Sequence, residues 1–248
     1  MIKEIKETIK RALRSVLPKR IAEIAIKIGS SVSLTFIRIL IAIDTICLKR
    51  KFPQFRDFDR LSNEHSKILQ PYYNKYISSI SIDEMAISIE LSVFLSVLCK
   101  LLTPRGILDL GSGFSSFVFR FYSQKADPKP IVYSVDDSKE WLKKTEIFLR
   151  DNNVPTDNIV VWKTFSENNA ETFDIILHDL GSIEVRKNTL EDIMKLVRPG
   201  GVIILDDLHQ VEYALFVKET IKKYRLRCYN LKEFTKDKFG RFSFLLVA

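Results

Sequence analysis

From about residue 106 onward, short apolar runs alternate with stretches in which apolar residues recur every three or four positions. The runs are "GILDL" (106–110), "PIVYSVD" (130–136), "NIVVW" (158–162), "FDIILHD" (173–179) and "GVIILDD" (201–207). Their length and their Ile, Val and Leu content predict strands buried on both faces. A helical pattern starts at about Ser115, a second runs through "SKEWLKKTEIFLRDNN", and a third leads into the "VRPGG" turn before the fifth run. This alternation predicts an α/β fold, a doubly wound and mainly parallel sheet with helices on both faces. Sheets of that kind bind ligands at the carboxyl ends of their strands.

Upstream the pattern changes. "SIDE" at 81–84 reads as a capping box, Ser81 with Glu84, opening an apolar helix through about Leu102 that Pro104 ends. Residues 52–80 read as a connector with short helices, broken at Pro53 and carrying Tyr72, Tyr73 and Tyr76 close together, a cluster better explained by packing than by an aromatic substrate pocket. At the start of the chain, Ile2, Ile5, Ile9, Leu13, Val16 and Leu17 share one helical face, and Lys3, Lys6, Lys10, Arg11 and Arg14 lie mostly on others. The division expected is a helical extension and connector over residues 1–80, and a ligand-binding domain over 81–248.

Charge sharpens the picture of the extension. The net charge is +8, yet residues 61–248 hold twenty-five Lys/Arg against twenty-five Asp/Glu, and residues 1–60 hold fourteen against six. All of the excess lies in the N-terminal quarter. Residues 21–48 are mostly apolar but include Glu23, Lys27, Arg38 and Asp44. A membrane span needs roughly 20 apolar residues, and a central Arg or Asp costs about 2.5–3.5 kcal/mol on insertion. A true span therefore ranks below two other expectations for residues 1–51: peripheral contact with an anionic membrane, or packing on the domain or on a second subunit. No secretory signal is read there, so the expected location is cytoplasmic, at the inner face of the membrane where the helices touch lipid. Three cysteines, Cys47, Cys99 and Cys228, are too far apart to signal a disulfide framework or a zinc cluster.

The candidate chemistry sits at the strand ends. "DLGSGFSS" follows the first strand, with Asp109 at its end and Gly111 and Gly113 in the turn before a helix. The second strand ends in Asp136, the place where a dinucleotide fold holds a ribose diol. With the "RPGG" turn before the fifth strand, these residues resemble the class I S-adenosylmethionine-dependent methyltransferases. The resemblance covers about two thirds of the chain, from Ser81 to Ala248. It implies a seven-stranded Rossmann-like sheet whose last strand, "RFSFLLVA" (241–248), inserts antiparallel. It also implies that Asp109, Gly111, Ser112, Gly113, Ser115 and Asp136 bind S-adenosylmethionine, with Ser115 standing where the family's third glycine falls. A nicotinamide enzyme fits less well, because Ser116 occupies the last position of its glycine fingerprint. An aminopropyl transferase of the same fold ranks lower still.

The fifth strand ends in an adjacent acidic pair, Asp206 and Asp207, and the fourth in Asp179. Three converging carboxylates raise one another's pKa unless a cation joins them, and a hard divalent ion takes oxygen ligands. In this the chain looks like the metal-dependent small-molecule O-methyltransferases of the catechol, caffeoyl-CoA and macrolide-sugar types. That likeness implies Mg²⁺ or another divalent cation on Asp179, Asp206 and Asp207, with His209 as the base. The rival reading makes the pair a helix cap and leaves His209 in solvent. His178, closing an apolar strand, is read as structural or as part of the cleft wall, and Trp141 and Trp162 as packing residues. The expected activity is metal-assisted O-methylation of a small-molecule, sugar or lipid-linked hydroxyl, by a chain that also forms a homo-oligomer if the N-terminal helices pair. RNA methylation, suggested by the basic N-terminus, ranks behind it, as does a non-catalytic scaffold at the membrane.

Overall fold

A computed structural model describes residues 30–168, 171–224 and 226–248, with side chains from residue 41 onward. The amphipathic helix expected over residues 2–17 lies outside the described residues. Strands β1 (Gly106–Leu110), β2 (Ile131–Asp136), β3 (Ile159–Val161), β4 (Phe173–His178) and β5 (Val197–Leu205) fall on the five apolar runs. Two more, β6 (Arg227–Asn230) and β7 (Phe244–Val247), complete a seven-stranded sheet of order β3-β2-β1-β4-β5-β7-β6. The first five pair in parallel, and β7 runs antiparallel to both β5 and β6. The inserted last strand is the one expected, four residues long instead of eight.

The period-two alternation of each strand divides the core into two layers. Ile107, Ile175, Leu177, Val202, Ile204 and Leu245 face one side. Leu108, Ile176, Ile203, Leu205 and Leu246 face the other. Helices α2 (Phe58–Ser79), α3 (Ile89–Leu102), α4 (Phe114–Ser123) and α5 (Lys139–Asp151) cover the first side, and α6 (Trp162–Asn168), α7 (Ile183–Leu196) and α8 (Val211–Tyr224) the second. With both faces covered, β1, β4 and residues 201–205 of β5 bury nearly every side chain and read as continuous apolar runs, while the edge strand β3 is only half-buried.

Three boundaries differ from the sequence reading, each for a physical reason. α3 starts at Ile89, not Ser81, because Ser88 is its cap: the Ser88 hydroxyl accepts from the Leu91 amide at 3.0 Å. The connector over 52–80 is one 22-residue helix, α2, behind a short 3₁₀ turn (Pro53–Asp57), and Pro71 lies within it. Packing outweighs the lost amide: Leu69, Tyr73 and Tyr76 of this helix are buried, and Tyr73 and Tyr76 meet the ring of Phe114 at 5.1 and 5.5 Å. Trp162 leaves the third strand and opens α6.

Helix α1 (Ser30–Lys51) closes the far edge of the sheet. Its Asp44 carboxylate accepts the Asn230 amide of the edge strand β6 at 3.3 Å, and Ile41 and Leu48 are buried. Covering an edge in this way removes a row of open backbone groups. No helix among the described residues is long and apolar enough to cross a membrane.

Candidate active site

The turn after β1 is shaped by glycine. Gly111 has φ +97°, and a Cβ there would stand 2.2 Å from the Asp179 carbonyl oxygen, so no other residue fits. Its amide donates to the Val135 carbonyl, and the Asp179 amide donates to that of Leu110, drawing the ends of β1, β2 and β4 together. Asp136 then holds the turn from the side. Its Oδ2 accepts the Ser112 amide at 2.8 Å and hydroxyl at 3.2 Å, and its Oδ1 accepts the Ser138 amide at 2.9 Å. Burial pushes this carboxyl up to about 6, against the pull of those two amides.

Around the turn lies a cavity of about 330 Å³. Its wall is formed by Gly111, Ser112, Gly113 and Ser115, by Asp136, Ser138 and Trp141, and by Tyr76 and residues 85–87 on the opposite side. Asp179, Gly181 and Arg186 finish it at the end of β4. The size suits a small ligand or cofactor. The position is the switch point of the sheet, where β1 and β4 are neighbours and the chain turns to opposite sides.

The acidic cluster is organised by an arginine. Arg186, in the first turn of α7, puts Nη2 2.5 Å from Asp179 Oδ1 and Nη1 3.0 Å from Asp207 Oδ2. Asp206 turns away to accept the Ser243 hydroxyl at 2.7 Å. Asp207 has φ +60°, a left-handed conformation that Asp tolerates better than most residues, and this turn aims its carboxylate at Arg186. Burial raises Asp179 well above the ordinary carboxylate range; Arg186 pulls the other way, and Asp206 and Asp207 add to the rise.

The comparisons with known proteins join this geometry. A family described as a methyltransferase domain matches residues 104–242, more than half of the chain. The chain is a class I S-adenosylmethionine-dependent methyltransferase. No curated protein matches its sequence. Among solved structures, an O-methyltransferase from Bacillus cereus in complex with S-adenosylhomocysteine shares 18% identity at TM-score 0.55, covering 74% of this chain and 89% of its own. The S-adenosylhomocysteine-bound Podospora anserina methyltransferase PaMTH1 gives 16% and 0.58, covering 77% and 94%. The O-methyltransferase TomG from Streptomyces achromogenes, involved in tomaymycin synthesis and bound to S-adenosylmethionine, gives 14% and 0.52, covering 75% and 88%. At such identities the likeness is one of fold.

Within the methyltransferase the expected cofactor residues do not all play one part. Gly111, Ser112, Gly113, Ser115 and Asp136 stand in the cavity wall. Asp109 does not: it is fully buried behind the turn, its Oδ2 accepting the hydroxyls of Ser116 at 2.5 Å and Ser134 at 3.2 Å. Burial raises it to about 6. The buried Arg120 guanidinium donates to the same Ser134 hydroxyl, so Asp109 anchors the turn from within the core.

The expected metal ligands are not assembled. Among the described residues no three His, Cys, Asp or Glu side chains are placed to hold an ion. The reason is steric and electrostatic, since a guanidinium lies between Asp179 and Asp207 and Asp206 is spent on Ser243. His209 is also outside the cavity wall, 3.5 Å from Asp207 Oδ1 and about a third exposed. His178 is structural as read: it is fully buried, its Nε2 lies 3.1 Å from the Arg186 carbonyl, and burial lowers it to about 3.

Several residues that form or brace the cavity wall escaped the sequence reading. Trp141, read as packing, stands in the wall and donates its indole N–H to the Ser112 carbonyl at 2.5 Å. Tyr76 and residues 85–87 come from the part of the chain that looked like a connector. Arg241 ties that loop down, donating to the carbonyls of Asp83, Glu84 and Ala86 at 2.8–3.1 Å. Arg186 had one available signal: a cation in the first turn of a helix opposes the macrodipole and needs nearby carboxylates.

Proposed function

We propose that this methyltransferase transfers its methyl group to a hydroxyl on a small molecule, a sugar or a lipid-linked acceptor. One observation carries the reading: Asp179 and Arg186 stand in the wall of the same cavity as the glycine turn and Asp136. A polar acceptor entering there meets the Asp179 carboxylate. The likeness in fold to the O-methyltransferases of Bacillus cereus and Streptomyces achromogenes supports an oxygen acceptor.

S-adenosylmethionine, when bound, supplies a methyl already activated by its sulfonium charge. The protein then has to align donor and acceptor and remove a proton. Asp136 would hold the ribose hydroxyls, and the turn at 111–113 lets the main chain approach the ligand closely. Tyr76 and Trp141 form part of the wall on either side of the turn. Asp179 is the group placed to accept a hydrogen bond from the acceptor hydroxyl and then its proton. Burial raises its carboxyl, the direction in which a general base differs from an ordinary aspartate.

The test is transfer of isotope-labelled methyl to panels of phenols, sugars, lipid-linked sugars and RNA. The expected result is an ether-linked methyl on a hydroxylated acceptor, slowed at least about 100-fold in Asp179→Asn, the usual scale for loss of a general base. Label found on nucleobases or amines would overturn the oxygen-acceptor reading.

A further inference from the structure

We propose that Arg186 stands in for a divalent cation at the acceptor end of the cleft, so that this methyltransferase organises its strand-end carboxylates without metal. The proposal rests on reading that end of the cavity as the acceptor site. It is carried by where the guanidinium lies. Arg186 bridges the carboxylate after β4 and a carboxylate after β5, at 2.5 and 3.0 Å, and its Nη2 also reaches the Gly181 carbonyl at 3.3 Å.

The position is built rather than adventitious. Arg186 is 7% exposed, and its own carbonyl is fixed by the His178 ring at 3.1 Å. Ser182 caps α7 beneath it, its hydroxyl accepting the Val185 amide. The helix N-terminus disfavours a cation there, so the arginine is held by the two carboxylates it joins. Asp207 adopts its left-handed backbone at the same junction.

A guanidinium and a hard divalent ion make different demands. Mg²⁺ requires near-octahedral oxygen contacts at about 2.1 Å. Here one oxygen each of Asp179 and Asp207 faces an N–H donor, and Asp206 is engaged by Ser243. Arginine stays charged at all working pH values, so it orients the pair permanently. It joins no acceptor oxygen to a metal, which leaves alignment to the fixed wall and proton removal to a side chain.

Binding of Mn²⁺, followed by its electron paramagnetic resonance signal, tests this on the full chain, with S-adenosylhomocysteine present. Wild type is expected to leave free Mn²⁺ at full amplitude to about millimolar concentration. Arg186→Met, which removes the charge at similar volume, is expected to bind one Mn²⁺ per chain, and Arg186→Met with Asp179→Asn to lose it. Arg186→Gln carries the same arm if the methionine variant does not fold. Stoichiometric Mn²⁺ binding by wild type, abolished by Asp179→Asn, would overturn the proposal. So would a folded Arg186 variant that binds S-adenosylhomocysteine but gains no Mn²⁺ site. Failure of the hydroxyl-acceptor reading would appear in the identity of the methylated product and leave these outcomes unchanged.

Discussion

At the scale of single residues, the site depends on positions with no tolerance for substitution. Gly111 combines a left-handed backbone with a Cβ direction that ends 2.2 Å from the Asp179 carbonyl oxygen. Gly111→Ala is expected to destabilise the fold by at least about 1–3 kcal/mol in urea unfolding, the cost of strain of this kind. It should also weaken S-adenosylhomocysteine binding more than about tenfold by displacing the turn. Asp136 acts differently, as a charge whose ionised form is wanted. Its carboxyl sits at about 6, so cofactor affinity should rise as pH passes upward through that value. Asp136→Asn is expected to lower affinity about tenfold, or about 1.4 kcal/mol, and to flatten the pH dependence, both readable by calorimetry at pH 5.5 and 7.5.

At the scale of elements, the legible parts were those set by local pattern. The central parallel strands announce themselves as apolar runs because they are buried on both faces, and Asp136 and Gly111 are marked by their places at strand ends. Elements fixed by contacts distant in sequence were harder. Residues 58–79 look like a broken connector, yet they form one helix because Tyr73 and Tyr76 pack on Phe114 across the fold. β6 is a four-residue edge strand, half-buried and flanked by α1, and carries no run of its own. The start of α3 is a choice between two serines, and the structure selects Ser88. Ser88→Ala should cost about 1 kcal/mol of stability by chemical denaturation, the usual worth of a cap. Ser81→Ala, at the cap expected from the sequence, should change it by less than about 0.5 kcal/mol. Arg186 was missed for a related reason. Spacing along the chain shows which acidic residues reach the strand ends, but not which cation fills the space between them.

At the scale of the whole molecule, buried carboxylates link folding to pH. Asp109 and Asp136 both lie at about 6 in the folded chain, chiefly through burial, against an ordinary value of 3.8. A carboxyl raised on folding contributes stability that is complete below its ordinary value and is lost as pH rises through its folded value. The stabilising share of Asp136, read by scanning calorimetry in matched ionic strength as the melting temperature of the cofactor-free protein minus that of Asp136→Asn, should therefore shrink between pH 5 and pH 7. Buried His178, lowered to about 3, acts with the opposite sign in both proteins and cancels in the difference. With the ribose held on Asp136 as proposed, cofactor binding should oppose that trend, because it would draw on the ionised carboxylate. Stability and affinity are then expected to have opposite pH preferences at this turn, the consequence of a buried acid that also holds the ligand.

The cavity between the ends of β1, β2 and β4 is the proposed seat of S-adenosylmethionine. Calorimetric titration of S-adenosylhomocysteine into the full chain at pH 7.5 tests it most directly, with Asp136→Asn run alongside. One site per chain is expected, weakened in the variant. Saturable binding that Asp136→Asn leaves untouched, or no binding by the folded wild type, would contradict it.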